Sequence, residues 1–573
     1  MMQDNKNLIL AFVISIGILL AFDFFLMRPA RVAEEARLAQ QSETAGELTE
    51  RPALAPGDDL PAPPEATQPM TREAALEQSP RIVIDTPRLK GSIALRGGRI
   101  DDLTMTEYRT SVDKSAPPVT LLSPAGVPGA YFAEFGWAVA QGSGITAPSN
   151  DTRWTADNAV LAPGRPVTLR WESPEGVVFT RRYEIDEYYM FTITDRVENP
   201  GEGTIALAPY ALVSRHGLPQ TEGMFISHEG AIAVFGEQLV ETKYGDLQDD
   251  GRISQRGVGG WIGFTDKYWL TALIPGQDEE FEGRFTHRMA GGDDRFQADY
   301  RLGVRRVAPG GAASHFFAGA KVVKLLDTYE EKLGISRFDR GIDWGWFYWI
   351  TKPIFYLLHF FHGLLGNFGL AILLLTVCIK ALFYPLANKS YVAMSKMKKL
   401  QPKMKQLQER YKDDKARLQQ EMMNLYRTEK VNPVSGCLPI FVQIPVFFAL
   451  YKVLYVTIEM RHAPFFGWVK DLSAPDPLTV VNLFGLIPWD PPQMIAIGIW
   501  PLLMGLTMYL QQKLNPAPAD PVQGKIMLMM PIIFTFILAP FPVGLVIYWT
   551  WNNVLSILQQ WTIMKRMGVS TEG

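Results

Sequence analysis

Lys380 stands in the stretch TVCIKALFYPL, at the end of a run that is otherwise apolar enough and long enough to cross a bilayer. A cation near the bilayer centre costs about 2.5–3.5 kcal/mol on insertion scales. Eight residues separate Lys380 from Asn388, so a helix continuing to the cytoplasmic edge would hold it about 12 Å deep. A lysine stem covers only part of that distance. No Asp or Glu lies inside the five later apolar runs, and Glu459 and Asp23 sit only at outer ends. Water is the remaining partner, which predicts a wet cavity open to the cytoplasm. A stem snorkelling along the surface is the alternative. Thr376 lies one turn earlier on the Lys380 face. Gln443, Thr507, Gln511, Thr550, Asn552, Asn553 and Ser556 add amides and hydroxyls in later runs. Such groups also serve simply to join helices.

This is chemistry of solvation and charge, not of bond breaking. His216, His228, His287 and His315 are scattered without metal-ligand spacing, and no G-x-x-x-x-G-K-[ST] loop occurs. No catalytic residue, metal or cofactor is expected, and the chain is not expected to be an enzyme. Cys378 and Cys437, the only cysteines, lie in apolar runs and give no disulfide framework.

The elements that must position Lys380 are long apolar segments. The chain has 573 residues, a net charge of −3 and 47% hydrophobic residues, and the latter concentrate toward its two ends. Six runs are candidate spans: 8–27, 368–387, 438–458, 494–512, 526–541, which is short, and 544–564. The loop 389–430 carries twelve Lys and Arg against five Asp and Glu, which places it in the cytoplasm. Parity then puts residues 28–367 outside and both termini inside. The first run, 1–27, reads as an uncleaved signal anchor, with a cleaved signal peptide as the alternative. Residues 28–80, rich in Ala, Glu and Pro, read as a disordered linker. From Arg81 the texture becomes that of strands, in stretches such as PVTLRWE and YMFTITDRVEN punctuated by Gly, Pro, Asn and Asp. An exported, all-β sandwich domain over 81–335, ending in a helix, is expected. Residues 343–366, dense in Trp, Tyr and Phe, fit an interfacial amphipathic helix or an extension of the second span. A five-helix core would follow over 367–568.

Within 389–431, Met394, Met397, Leu400, Met404, Leu407 and Tyr411 recur at helical spacing, and Leu418, Met422 and Leu425 repeat the pattern. Two helices joined near Asp413 and Asp414 are predicted, packing as a basic hairpin, with Pro402 kinking or restarting the first arm. Little apolar area is left to anchor this hairpin to the spans. Lys396, Lys398, Lys399, Lys403 and Lys405 form a solvated face, or one that attracts anionic lipid or ribosomal RNA. The methionines are core filler or a pliable surface for varied apolar segments.

Four stretches carry a further signal: YPLANKSYVAMSKMKKLQPKMKQL, DDKARLQQEMMNLYRTEKVNPVSGCLPIFVQIPVFFALYKVL, RHAPFFGWVKDLSAPDPL and VQGKIMLMMPIIFTFILAPFPVGLVIYW. They resemble the YidC family of bacterial membrane protein insertases, related to insertases of mitochondrial and chloroplast inner membranes. The resemblance is close over 345–567 and looser over the anchor and exported domain. It implies a multi-pass α-helical membrane protein of six spans with an exported β-supersandwich. It also implies a hydrophilic groove open to the cytoplasm and to lipid, and a basic hairpin that recruits substrate. The partners it implies are nascent membrane proteins, the Sec translocon, the ribosome, the receptor of the signal recognition particle and membrane lipids. Lys380 stands where the family commonly has arginine, which keeps the charge and loses bidentate contacts. Trp549, beside Tyr548, stands where a tyrosine is usual. An ion-coupled transporter would instead want midplane carboxylates, and an anchored carbohydrate-active enzyme would leave five spans unexplained.

Overall fold

The computed structural model describes residues 70–569 except 141–142, 202–204, 220, 222–226, 308–309, 413, 430, 432–437, 485, 488, 490–491, 493–494 and 517–520. The expected anchor 1–27 and most of the linker 28–80 lie outside the described residues. The end of that linker is ordered. Helix α1 (Arg72–Glu77) is capped by Thr71, whose hydroxyl accepts from the Ala74 amide. Arg72 forms an ion pair with Asp102 of the following domain. A cap and an ion pair thus fix residues whose composition promises no core.

From Arg81 onward, burial alternates along the strands, as in Val178–Ile185. Among the described residues the strands form two sheets, of 11 and 9 strands. The larger has the order Arg252–Val258, Glu280–Ala290, Asp293–Leu302, Ile205–His216, Tyr131–Val139, Arg99–Arg109, Leu89–Ala94, Arg81–Asp85, Val160–Leu161. Two strands lie off this path: Arg305–Val307 pairs with Ile205–His216, and Pro118–Leu122 with Arg99–Arg109. The smaller sheet is centred on Trp269–Ile274, Gly310–Ala320 and Met190–Glu198. Aromatic side chains meet between the sheets, Phe135 against Phe316 at 5.9 Å and Tyr131 against Phe264 at 6.4 Å. The result is the face-to-face β-sandwich that the strand texture predicts. Helix α2 (Tyr244–Asp250) interrupts the strands.

Helix α3 (Val323–Leu333) leaves the last strand and ends at Gly334, whose φ of 65° suits glycine. Helix α4 (Tyr348–Leu365) ends the same way at Gly366. Helix α5 (Phe368–Leu382) starts at once, its N-terminus capped by Asn367, which accepts from the Leu370 amide at 3.1 Å. These adjoining caps make α4 a separate helix, not an extension of α5. Then follow α6 (Tyr384–Arg410), α7 (Lys415–Thr428), α8 (Leu438–Val456), α9 (Ile499–Leu514), α10 (Pro521–Leu538) and α11 (Val543–Arg566).

The run 368–387 is not one straight helix. α5 stops at Leu382 and the chain bends by 70° into α6. Pro385 supplies the reason: it lacks an N–H and would crowd the carbonyl four residues back, so it fits only in the first turn of a new helix. Among the described residues no single helix is long and apolar enough to cross a membrane. The bent pair α5–α6 passes by length and composition, and Gln443–Val456 and Gly524–Leu538 are shorter apolar helices. Pro402, by contrast, does not restart the first hairpin arm, since α6 continues through it to Arg410.

One apolar cluster links the two parts of the fold. It runs from Phe316 and Phe317 through Trp344 to Phe355 in α4, Leu375 in α5, Tyr451 in α8 and Tyr548 in α11. Polar bonds reinforce the junction. The Arg461 guanidinium donates to the Arg109 carbonyl at 2.6 Å, and the Tyr268 hydroxyl to Ser473 at 3.2 Å. The Val323 amide donates to Glu459 at 3.0 Å.

Candidate functional site

With α5 ending at Leu382, Lys380 lies in its last turn, where the helix dipole favours a cation. The 12 Å depth expected from a straight helix therefore does not apply. Lys380 Nζ donates to Ser556 Oγ of α11 at 2.7 Å, and Ser556 Oγ donates in turn to the Asn552 carbonyl at 2.8 Å. The Tyr391 side chain of α6 lies beside Ser556. Among the described residues Lys380 has no ion-pair partner, so its ammonium is met by a neutral hydroxyl at the corner where α5, α6 and α11 converge.

The other expected groove residues separate into pairs. Gln443 of α8 donates to the Tyr548 hydroxyl of α11. Asn553 donates to Thr507 at 3.2 Å, joining α11 to α9. Seven residues further along both helices, Gln560 donates to the Leu514 carbonyl and to Asn515, each at 3.1 Å. This equal step shows that α9 and α11 run parallel in a fixed register. Gln511 and Asn552 remain partly exposed. Thr376 is 1% exposed and spends its hydroxyl on the Ile372 carbonyl at 2.7 Å, so it offers no free polar atom beside Lys380. Trp549 packs on Phe447 at 4.8 Å and lies against the Met504, Leu538 and Val546 cluster, on the apolar side of α11.

Ser556, one of the hydroxyls singled out in the sequence, lies one turn beyond Asn552, a spacing that marks a shared helix face. One contributor was not evident from the sequence: Lys452 is a second cation in an apolar helix, and it forms an ion pair with Asp343 at 2.7 Å. A charge inside such a run calls for a partner, but Asp343 is too distant in sequence to be found by spacing.

The hairpin closes on its own apolar face. Leu400 and Met404 of α6 pack with Met422 of α7, joined by Met397, Leu407, Leu418 and Leu425. These methionines act as filler between the arms. Asp414 caps α7 by accepting from the Arg417 amide at 3.0 Å, and Asp413 lies outside the described residues. The base of the hairpin is anchored, contrary to the expectation. Ala387 and Tyr391 pack on Ile563 together with Met394 and Met567, and Lys399 donates to the Met567 carbonyl at 2.6 Å. Lys403 pairs with Glu429 at 2.6 Å. The buried Lys398 ammonium has no partner among the described residues, and burial lowers its pKa. Lys396 and Lys405 are exposed. Among the described residues no cluster of His, Cys, Asp or Glu could hold a metal.

The family models and the curated relatives agree on one family. The family described as 60Kd inner membrane protein matches residues 360–570, and that described as YidC periplasmic domain matches 81–357. Membrane protein insertase YidC of Methylobacterium radiotolerans is 48% identical, covering 100% of this chain and 96% of that protein. The protein of the same name from Beijerinckia indica subsp. indica is 50% identical, covering 100% of this chain and 98% of its own length. A solved active YidC insertase with the first transmembrane domain resolved is 17% identical with a TM-score of 0.35, covering 84% of this chain and 92% of its own. By its sequence matches over the full length, the chain belongs to the YidC family of membrane protein insertases.

Proposed function

We propose that the chain inserts nascent membrane proteins into the inner membrane, without nucleotide or cofactor, through a hydrated groove that opens to the cytoplasm beside Lys380. The observation that carries this is an ammonium in the last turn of an apolar helix, answered only by the Ser556 hydroxyl among the described residues. Such a charge retains capacity to attract a further group. In a cavity whose dielectric lies between those of water and protein, it acts more strongly than at a surface. An incoming segment would enter from the cytoplasm, keep its polar flank solvated near Lys380, and slide its apolar helix into lipid.

The topology that goes with this reading is six spans with both termini inside and the β domain outside. The bent pair α5–α6 brings the chain from the second span into the hairpin. Helix α4, with Trp349 exposed in its first turn and Trp346 exposed just before it, lies at the interface where indole rings prefer to sit. Lys396 and Lys405, with the rest of the basic face, recruit substrate, ribosome, the receptor of the signal recognition particle or anionic lipid. The Sec translocon is a partner for larger substrates. Gln443, Tyr548, Thr507, Gln511 and Asn552 line or brace the groove, and Trp549 closes its apolar side.

The test is insertion of a two-span substrate into liposomes containing only this protein. Lys380→Arg should keep most activity. Lys380→Leu should slow insertion of substrates with Asp or Glu in the translocated tail by about tenfold, or ~1.4 kcal/mol. That falls between the ~1 kcal/mol of a charge pair in water and the ~4 kcal/mol of one at a protein surface. Neutral tails should suffer less. Equal insertion of both tails by Lys380→Leu would reduce the lysine to a snorkelling side chain.

A further inference from the structure

The loop between α8 and α9 carries a surface that insertion through Lys380 does not use. From Thr479 to Gly498 the sequence holds a single charged residue, Asp490, among Val, Leu, Ile, Phe and Trp. In the structure Leu486 is 83% exposed, Leu483 53%, Phe484 50% and Trp489 47%. The backbone displays them in a defined way. Thr479 pairs with Gly498 as an antiparallel bridge, and the Val480 amide donates to the Ile497 carbonyl at 3.1 Å, so both ends close against the first turn of α9. Within the loop, the Phe484 amide donates to the Thr479 carbonyl at 2.9 Å and the Ile487 amide to the Asn482 carbonyl at 3.1 Å. Leu483 and Phe484 hold φ values of 49° and 59°, a left-handed conformation that costs any residue with a side chain.

Strain of this kind persists where the surroundings fix it, and here it fixes apolar side chains pointing away from the protein. A surface of that size facing water would be an association hazard. It is continuous with a surface already assigned a non-aqueous neighbour. α9 begins at the closed end of the loop and exposes Leu502, Leu503, Leu506 and Leu510. At the base of the loop a polar collar surrounds Asp476, which accepts from the Trp500 amide at 2.8 Å and from the Trp468 indole at 3.0 Å. Trp468 thus aims its indole N–H at a carboxylate, the amphipathic arrangement that suits tryptophan to a membrane–water interface.

We infer that Leu483, Phe484, Leu486, Ile487 and Trp489 dip into the outer leaflet beside α9, anchoring the exterior end of the helical core in lipid. This rests on the membrane topology of the proposed function. Lipid is preferred to a protein partner because the patch continues the exposed apolar side of α9, and Asp490 is the single charge in the loop's sequence.

The experiment uses the full chain with Cys378→Ser and Cys437→Ser, reconstituted in nanodiscs of phosphatidylethanolamine and phosphatidylglycerol, where both faces meet the reagent. Single cysteines are introduced by Leu486→Cys, by Leu506→Cys on α9 and by Val258→Cys, 58% exposed in the β domain. The rate of reaction with a membrane-impermeant maleimide is measured, and each variant is first shown to insert the two-span substrate. The expected result is that 486 and 506 both react at least tenfold more slowly than 258. A 486 rate equal to that of 258, with 506 protected, overturns the inference and fits a surface kept for a protein partner. If 506 also reacts at the 258 rate, the membrane placement itself fails. A fluorophore at 486 should be quenched by lipid spin-labelled on its acyl chain, and absence of quenching counts against the inference.

Discussion

Glu459 caps a helix from across the junction. Its Oε1 accepts from the amide of Val323, the first residue of α3, whose own N-cap Val322 has no side-chain oxygen to offer. Its Oε2 is buried with no partner among the described residues. Burial pushes the carboxyl up from 4.5 to about 7, against the pull of the Val323 N–H and of Lys324. Between those two values the folded chain holds a proton that the unfolded chain has released. This contribution to stability is therefore complete below pH 4.5 and is lost as the pH rises through about 7. Thermal melting of the purified chain should show a loss on the order of 3 kcal/mol from this group between pH 5 and pH 8. Glu459→Gln should flatten that slope, and an unchanged slope would place the titration elsewhere. The carboxylate is plain in the sequence, yet its partner is a backbone amide more than a hundred residues away, which no spacing reveals. Lys380 is the opposite case. A cation in an apolar run announces itself, while its partner Ser556 and its true depth depend on the bend imposed by Pro385.

Among the elements, the hairpin shows how charge divides between structure and recruitment. Lys399 and Lys403 spend their ammonium groups on the Met567 carbonyl and on Glu429. Lys396 and Lys405 are exposed, and neither has an ion-pair partner among the described residues. Each free lysine near an anionic surface contributes about 1 kcal/mol. The double change Lys396→Gln with Lys405→Gln should weaken binding to phosphatidylglycerol vesicles by roughly 30-fold and make its salt dependence shallower. Lys399→Gln with Lys403→Gln should cost less. Equal losses from both pairs in vesicle sedimentation would mean that only total charge matters. Helical spacing reveals the facing residues of this hairpin, because Leu400, Met404 and Met422 obey one period and meet one another. It does not reveal Met394 and Tyr391 as the anchor on α11, because the same period serves both contacts. The strands of the β domain are legible from their alternation and turn residues. The bend after Leu382 is legible only if Pro385 outweighs the apolar character of its neighbours.

At the scale of the molecule, the β domain and the helices share one apolar cluster and several polar bonds, so the domain is less self-contained than its strand pattern implies. A fragment of residues 81–319 should show a β-type circular dichroism spectrum, since both sheets lie within that range except for Ala320, the last residue of the strand Gly310–Ala320. It loses the bonds from Arg461 to the Arg109 carbonyl and from Tyr268 to Ser473, together with the capped start of α3. Three such contacts are worth about 3 kcal/mol, so the fragment should melt on the order of 10 °C below the same sheets in the whole chain. Equal melting temperatures would mean that the junction adds nothing. The pairing of Thr507 with Asn553 and of Leu514 and Asn515 with Gln560 also restricts how the helical core can move. Sliding α9 along α11 by one turn, about 5.4 Å, would pull both amides, of the buried Asn553 and Gln560, from their partners at once. The two helices therefore behave as a single beam, and a passenger bound for lipid must leave through another gap in the wall.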